Sequence, residues 1–481
     1  MLYVSPKRDM QSSKRLFLFG FLSVALLLRI VVSMRSSSMV QPDEVFQTLE
    51  PAHRLAYGYG VVTWEWRDGV RSWVFPAFLA CIMRATGWAG VGSSGYLAGT
   101  TLVLSLISLS SVWFGFAWAN RARGLNAAIL VGGMCTVWYE LVIFAPRAFN
   151  EVLAAHILLP GLYLGTDAEG PQEKTRLFLA SLFCGVAMSL RIQLAPAVAF
   201  MALYFCRSNW KRKISIVIAG LICPVILFGA VDAATWQYPF QSFIRYFWVN
   251  LVEGKSTVYG SAPWYWYLTI LSAHMSLLLL FVLAGIRSSP LLGTIALIVL
   301  ISHSALAHKE IRFIYPIVPL LVVLAGLGAI EIANEFDMFA QSLFWSRMII
   351  VAALILFALA SGLLASRFEY GYNSGSVEAF DQLSSDPTVC GVGLYGVPWF
   401  RSGGYVHLHH NVPIVLISED RELNIEASTF NVVIVDATLP APGIPFDLRT
   451  CWNGACVYHR TGSCISPIRG EINTELLRTG Q

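Results

Sequence analysis

Two polar blocks in an otherwise apolar chain carry residue types suited to acid–base and anion chemistry. The first reads Gln41-Pro42-Asp43-Glu44-Val45-Phe46-Gln47. It continues through Glu50, His53 and Arg54 to Thr63-Trp64-Glu65-Trp66 and then Arg71-Ser72. Adjacent carboxylates at the edge of an apolar medium can have one pKa raised by desolvation and the two driven apart by repulsion. That prepares a general base able to take a proton from a hydroxyl. Asp43 and Glu44 equally suit the first turn of an amphipathic helix, where acidic side chains favour the N-terminus. Spacing leaves both readings open. The density of Trp64, Glu65, Trp66 and Arg71 is that of a sugar-contacting surface.

The second block reads Ala307-His308-Lys309-Glu310-Ile311-Arg312-Phe313. His308, Lys309 and Arg312 could together hold a lipid phosphate or pyrophosphate, with Arg71 as a further candidate. Snorkelling at a membrane boundary is the plainer use of such a cluster. Arg147, Asn150 and Glu151 form a smaller polar knot, and Arg191 and Gln193 a turn before Pro196. Either could face the same cavity or serve helix ends. Asp232, Trp236, Arg245-Tyr246 and Asn250 lead to Tyr259-Gly260 and Pro263-Trp264-Tyr265-Trp266-Tyr267, richer in polar groups than an interfacial aromatic belt requires. No P-loop, nucleophile elbow or HExxH helix occurs. The loops contain no Asp-x-Asp pair, so no metal is expected.

These blocks must be positioned by membrane-spanning helices. The 481 residues are 56% hydrophobic and 13% charged, too apolar for a soluble protein of this size. The net charge of +4 gives no reason to expect a nucleic-acid partner. Apolar runs at 16–34, 96–118, 126–144, 152–166, 177–193, 195–206, 214–234, 265–286, 290–306, 313–333 and 346–366 read as about eleven spans. The spans themselves read as almost free of ionisable residues. The run 72–90, interrupted by Arg84 and several Gly, reads as an interfacial helix. Met1 to Arg15 is basic, and 16–34 reads as a retained first helix.

With the N-terminus cytoplasmic, Arg121, Arg123, Lys174, Arg176, Arg207, Lys211, Arg212, Lys213 and Arg287 fall on the cytoplasmic side. The acidic linker 334–345 fits that side poorly. The polar blocks then fall on the opposite side, in 35–71, 145–151, 191–196, 235–264 and 307–312. A membrane domain 1–366, with a first loop 35–95, would be followed by a soluble lumenal α/β domain at 367–481. Short β-rich runs at 389–394, 413–417 and 431–435 mark the latter. Of nine cysteines, Cys390, Cys451, Cys456 and Cys464 lie there. They could form two disulfides of open connectivity, with a zinc site as the rival reading.

Taken together, these blocks resemble glycosyltransferase family 22, the multi-pass GT-C mannosyltransferases. The first loop is similar to that family's opening signature, most of all in the members acting on the glycosylphosphatidylinositol (GPI) precursor. Gln41 stands where those have His. His308-Lys309-Glu310 with Arg312-Phe313 matches the family's His-Lys-Glu-x-Arg-Phe block. Tyr259-Gly260, Pro263-Trp264 and Trp266-Tyr267 match another. The resemblance covers roughly 16–330.

It implies a mostly α polytopic fold and inverting α-mannosyl transfer from dolichyl-phosphate mannose to a glycolipid acceptor, with α-1,2-mannosylation of a GPI-anchor precursor the nearest case. Another lipid-linked glycan is the alternative acceptor, and a lipid or solute transporter the alternative class. Asp43 would be the base and Glu44 its helper. His308, Lys309, Arg312 and Arg71 would hold the donor phosphate, and Trp64, Glu65, Trp66, Arg147, Asn150, Tyr259 and Trp264 would contact acceptor or sugar. No cofactor beyond the lipid-linked donor, a monomer among membrane lipids, and an endoplasmic reticulum membrane location (the inner membrane in a prokaryote) are expected.

Overall fold

The computed structural model describes residues 6–35, 39–166, 168–336, 343–367, 374–418, 427–442, 446–466 and 470–479. Residues 1–5 of the basic start 1–15 and 337–342 of the linker 334–345 lie outside them. The chain divides into two compact units. One comprises 1–32, 103–230 and 247–368, the other 33–102, 231–246 and 369–481.

The first unit is helical. Every apolar run expected to span forms helix, but length separates them. Ser13–Met34, Ser94–Arg123, Trp210–Thr235, Ile311–Glu335 and Trp345–Arg367 are long and apolar enough to cross a membrane. Trp266–Met275 and Leu278–Ser288, bent by 101°, add a sixth if counted together. Leu125–Val137, Ala195–Cys206 and Pro290–Ser304 have 13, 12 and 15 residues. At ~1.5 Å per residue they rise about 18–23 Å, short of a ~30 Å hydrocarbon core. Among the described residues, five or six helices thus have spanning length, and the remaining expected spans form shorter or broken apolar helices. Local breaks are the cause. Trp138 is extended and interrupts 126–144, and Ser276 at φ 46° interrupts 265–286. Such breaks survive at membrane depth when protein buries them.

Ile311–Glu335 is the core element of this unit: 89% of its apolar window is buried, against 11% for Ser13–Met34 and 17% for Trp345–Arg367. Helix Leu278–Ser288 lies against it through Gly285 and Gly328. A Cβ on either would run into the facing backbone carbonyl, of Leu324 or Phe281. Only glycine allows that approach. The few ionisable residues of the apolar runs are turned inward. Arg29, Glu140, His156 and His274 are all buried. Glu140 accepts from Trp138 Nε1 at 2.9 Å and faces His274 Nδ1 at 3.1 Å. One ionisable residue in a long apolar run barely changes its mean hydropathy, so such residues escape a composition-based reading.

The second unit draws on three stretches of the chain. It joins the segment 369–481 with 33–102 and 231–246. Its sheet has the order β2-β1-β3-β5-β4, with β1 Val392–Tyr395, β2 Ile414–Ile417, β3 Val432–Asp436, β4 Asp447–Trp452 and β5 Ala455–His459. β1 is parallel to β2 and β3, whereas β5 is antiparallel to β3 and β4. Val433, Val435, Phe430 and Ile417 are buried in its core. The β4–β5 turn is Asn453-Gly454 with Gly454 at φ 84°, the positive φ a two-residue hairpin needs. Two disulfides, Cys390–Cys464 and Cys451–Cys456, use the four cysteines and remove the zinc reading. The run 72–90 contains the helix Val74–Thr86 of 13 residues, below spanning length as expected.

Candidate active site

In the second unit the helical stretch 42–57 starts at Pro42, whose fixed φ suits a first helical position. It widens to i→i+5 bonding over Val45–Leu49 and ends at Gly58, φ 92°. Asp43 and Glu44 both sit in its first turn, but they part company. Glu44 is buried and its Oε2 accepts the Val40 N–H at 3.2 Å. The bond reaches back past the helix start, one residue beyond the N-cap Gln41. Asp43 remains partly exposed.

Arg71 lies within electrostatic reach of Asp43. Its Nη2 meets Glu65 Oε1 at 2.6 Å, and Gln47 Nε2 donates to the same oxygen at 3.3 Å. Burial alone would lower Arg71, but Glu65, Tyr246 and Asp43 outweigh it and hold the guanidinium charged. Its plane lies 5.7 Å from the Tyr246 ring. Trp66 packs on Trp73 at 4.4 Å, and Trp236 lies 6.4 Å from Trp66. Trp236 Nε1 donates to the Arg71 carbonyl. Asp232 is fully buried and accepts both N–H and O–H of Ser242. Of the residues singled out in sequence, this unit gathers Asp43, Glu44, Trp64, Glu65, Trp66 and Arg71. Gln47, Trp236 and Tyr246, also named from sequence, join them, and Trp73 is added. The signal for Trp73 was its place directly after Arg71-Ser72.

Glu50 anchors the same helix. Its Oε1 accepts the N–H of Val61 at 2.7 Å and of Tyr405 at 3.0 Å, and its Oε2 that of Val406 at 2.8 Å. Burial pushes the carboxyl up to about 7 despite these three bonds. One turn on, His53 Nδ1 faces the Tyr59 carbonyl and Nε2 faces His409 Nδ1. A carbonyl only accepts, so Nδ1 carries the proton of His53 and His409 donates to Nε2. Burial lowers His53 to about 3, chiefly by desolvation, which keeps it neutral.

In the first unit the segment between helices Pro290–Ser304 and Ile311–Glu335 carries the basic block. His308 Nδ1 lies 3.0 Å from the Gly260 carbonyl and Nε2 3.1 Å from Glu310 Oε1. Both partners are acceptors, so both nitrogens must carry hydrogen and the ring is an imidazolium. The Glu310 bond accordingly raises its pKa. Arg312 forks onto Glu310, Nε to Oε2 at 2.8 Å and Nη2 to Oε1 at 3.0 Å. Burial would raise Glu310, but Arg312 and His308 prevail and hold it well below the usual carboxylate range.

Arg312 Nη1 also reaches Glu151 Oε1 at 3.5 Å, and that oxygen binds Arg191 Nη1 at 3.1 Å. Arg191 is buried, lies 4.6 Å from the Phe313 ring, and leaves Nε and Nη2 without a hydrogen-bond partner. Three cations on two carboxylates leave this chain one positive charge in excess. Lys309 is used differently. Its ammonium donates to the Ala262 carbonyl at 3.1 Å and to that of Leu306, bracing the loop. Tyr259 is exposed, its ring 6.4 Å from His308, and Trp264 is exposed against Tyr265. Arg147 and Asn150 flank the start of helix Asn150–Thr166, which also carries Glu151. Glu151 and Arg191 had the weakest sequence signal, because their value lies in meeting residues remote along the chain, such as Arg312, 161 positions from Glu151.

Residues 20–409 match the Alg9-like mannosyltransferase family. The chain belongs to that family. It is 27% identical over 408 residues to GPI mannosyltransferase 3 of Yarrowia lipolytica, covering 82% of this chain and 76% of that one. It is 24% identical over 454 residues to GPI alpha-1,2-mannosyltransferase 3 of Bos taurus, covering 86% and 76%. Among solved structures it is similar to ArnT from Cupriavidus metallidurans bound to undecaprenyl phosphate. The TM-score is 0.63 at 13% identity, covering 93% of this chain and 99% of that one. At that identity the likeness concerns the fold.

As a member of the mannosyltransferase family the protein is a glycosyltransferase. The transporter reading from sequence is thereby set aside. The family match ends at 409, within the stretch whose backbone N–H groups at 405 and 406 hold Glu50. Most of the sheet lies beyond it.

Proposed function

We propose that this mannosyltransferase moves mannose from dolichyl-phosphate mannose onto a GPI-anchor precursor in an α-1,2 linkage, with inversion, at the lumenal face of the endoplasmic reticulum membrane. The observation that carries the donor half is the buried Arg191–Glu151–Arg312–Glu310–His308 chain with its one excess positive charge. A lipid phosphodiester bears one negative charge. It would neutralise that excess and take the unpartnered Nε and Nη2 of Arg191 as donors. When the sugar–oxygen bond breaks, the phosphate gains negative charge, so these cations bind the departing group more tightly than the donor. That difference is what accelerates a reaction.

On the acceptor side, Asp43 takes the proton of the attacking hydroxyl. The hydroxyl oxygen bonds to the sugar's anomeric carbon, and the bond from that carbon to the phosphate oxygen breaks with its electron pair leaving on the phosphate. A β-linked donor gives an α product. Trp73 and Trp236, both half-buried, supply faces on which a sugar ring can stack, with the buried Trp66 behind them, and Arg71, held by Glu65, keeps a positive charge near Asp43. The relatives named for GPI mannosyl transfer favour a GPI intermediate as acceptor.

The test is transfer of labelled mannose from polyprenyl-phosphate mannose by purified protein in lipid nanodiscs. A dimannosyl GPI intermediate is offered beside a lipid-linked oligosaccharide. Asp43→Asn should fold and lose transfer by about 10²–10⁴-fold. Turnover near wild type in Asp43→Asn removes it as the base. Transfer only to the oligosaccharide removes the GPI acceptor.

A further inference from the structure

The first span carries an arginine that the transfer reaction does not use. Arg29 is fully buried in helix Pro6–Arg35, within the candidate span Ser13–Met34. Its Nε donates to Ser108 Oγ at 2.8 Å and its Nη1 to the Ala25 carbonyl at 3.0 Å. Ser108 in turn donates to the Ser105 carbonyl at 2.6 Å, so its hydroxyl hydrogen is spent and only a lone pair faces the arginine. Nη2 has no hydrogen-bond partner. Among the described residues no carboxylate pairs with this guanidinium. The groups acting on it electrostatically include the Tyr315 hydroxyl and the Cys135 thiol, both neutral in such surroundings. A guanidinium buried without an anion is costly, and neutral dipoles offset only part of that cost.

One helical turn along the same serine-bearing face, Ser111 Oγ lies 2.7 Å from His156 Nδ1. His156 is buried and feels the Arg29 charge. Its Nε2 also lacks a partner. When Ser111 donates to Nδ1, Nε2 carries hydrogen, and the unmet groups become an arginine N–H pair and an imidazole N–H. A donor-only set around an uncompensated positive charge calls for a ligand that only accepts. Water would satisfy the donors but would leave the charge.

We propose that the Arg29–His156 locus binds a small inorganic anion of the halide class, chloride under physiological conditions, as a structural counter-ion within the helical unit. Nη2 of Arg29 and Nε2 of His156 donate to it. The ion locks helix Pro6–Arg35 to helices Ser94–Arg123 and Asn150–Thr166 through the groups that Ser108 and Ser111 already position. It has no part in the transfer step.

The experiment is thermal unfolding of the whole protein in nanodiscs at constant ionic strength, with gluconate replaced stepwise by chloride, bromide or sulfate. Chloride and bromide should raise Tm and saturate, while sulfate, too large for a site with two donor groups, should not. Arg29→Met and His156→Leu should each lose the halide response, whereas Arg191→Met should retain it. No saturable response in the wild type overturns the proposal without need of any variant. An equal effect of sulfate assigns the response to surface screening and overturns it too. A response lost in Arg191→Met but kept in Arg29→Met would place the halide among the phosphate-binding cations and would likewise overturn it. If Arg29→Met does not fold, His156→Leu and anomalous scattering from bromide in the wild type decide the matter. Bromide density absent beside Arg29 refutes the site.

Discussion

Replacing Glu50 tests how the helix bearing Asp43 is held. The carboxylate accepts three buried backbone N–H groups, from Val61, Tyr405 and Val406. Glu50→Ala strands all three. At about 1–3 kcal/mol for each buried donor left unsatisfied, the loss is about 3–9 kcal/mol. A whole domain has only about 5–15 kcal/mol to lose. Glu50→Gln is milder. Its carbonyl oxygen can keep the Val61 and Tyr405 bonds, but its amide N–H₂ then meets the Val406 N–H, donor against donor, at a cost of about 1–3 kcal/mol.

The pH dependence follows with a definite sign. Folding raises this carboxyl from 4.5 to about 7. Its contribution is therefore fully present below 4.5 and is lost as pH rises through about 7. Glu50→Gln should remove that part of the slope between these limits. Thermal unfolding and limited proteolysis across the range from about pH 5 to about pH 8, with mannosyl transfer measured alongside, would follow all three effects. Glu50→Ala should expose the loop at 404–408 to protease and abolish transfer. Stability within about 1 kcal/mol of wild type in Glu50→Ala, with turnover retained, would refute the reasoning.

Other expectations are narrower. Arg191→Met should lower kcat by about 10²–10³-fold with little change in KM, because its charge matters most as the phosphate departs; a pure KM effect would argue against that role. Glu310 raises His308 above its ordinary pKa, so the imidazolium and the stability it lends are complete below the unfolded pKa and fade as pH rises through the folded one. Transfer should decline on that alkaline side, and His308→Arg should move the decline upward. Cys390–Cys464 closes a separation of 74 residues and Cys451–Cys456 one of 5. On chain entropy, removing the first should cost about 4–5 kcal/mol and the second about 2, a difference readable in Tm of Cys→Ser pairs.

Local patterns were enough to place several features. Apolar runs give away the helices because burying a side chain in lipid needs only the residues of that run. The helix start at Pro42-Asp43-Glu44 and the hairpin turn at Asn453-Gly454 depend on neighbours within a few positions, and the basic block 308–312 is contiguous. Residue identity along the chain thus placed the acidic and basic chemistry and, by resemblance, the family.

Tertiary structure decided what those groups do. Asp43 and Glu44 are adjacent and chemically alike. Only the inward turn of Glu44 onto Val40 sets them apart, burying Glu44 while Asp43 stays partly exposed. Lys309 and Arg312 both read as phosphate ligands. One braces carbonyls of its own unit while the other is forked by Glu310. Glu50 meets partners 355 and 356 positions away, and Arg29 is a single charge whose environment is set by two other helices. The free energy of a charged group depends on desolvation and on partners remote in sequence, and folding alone determines both.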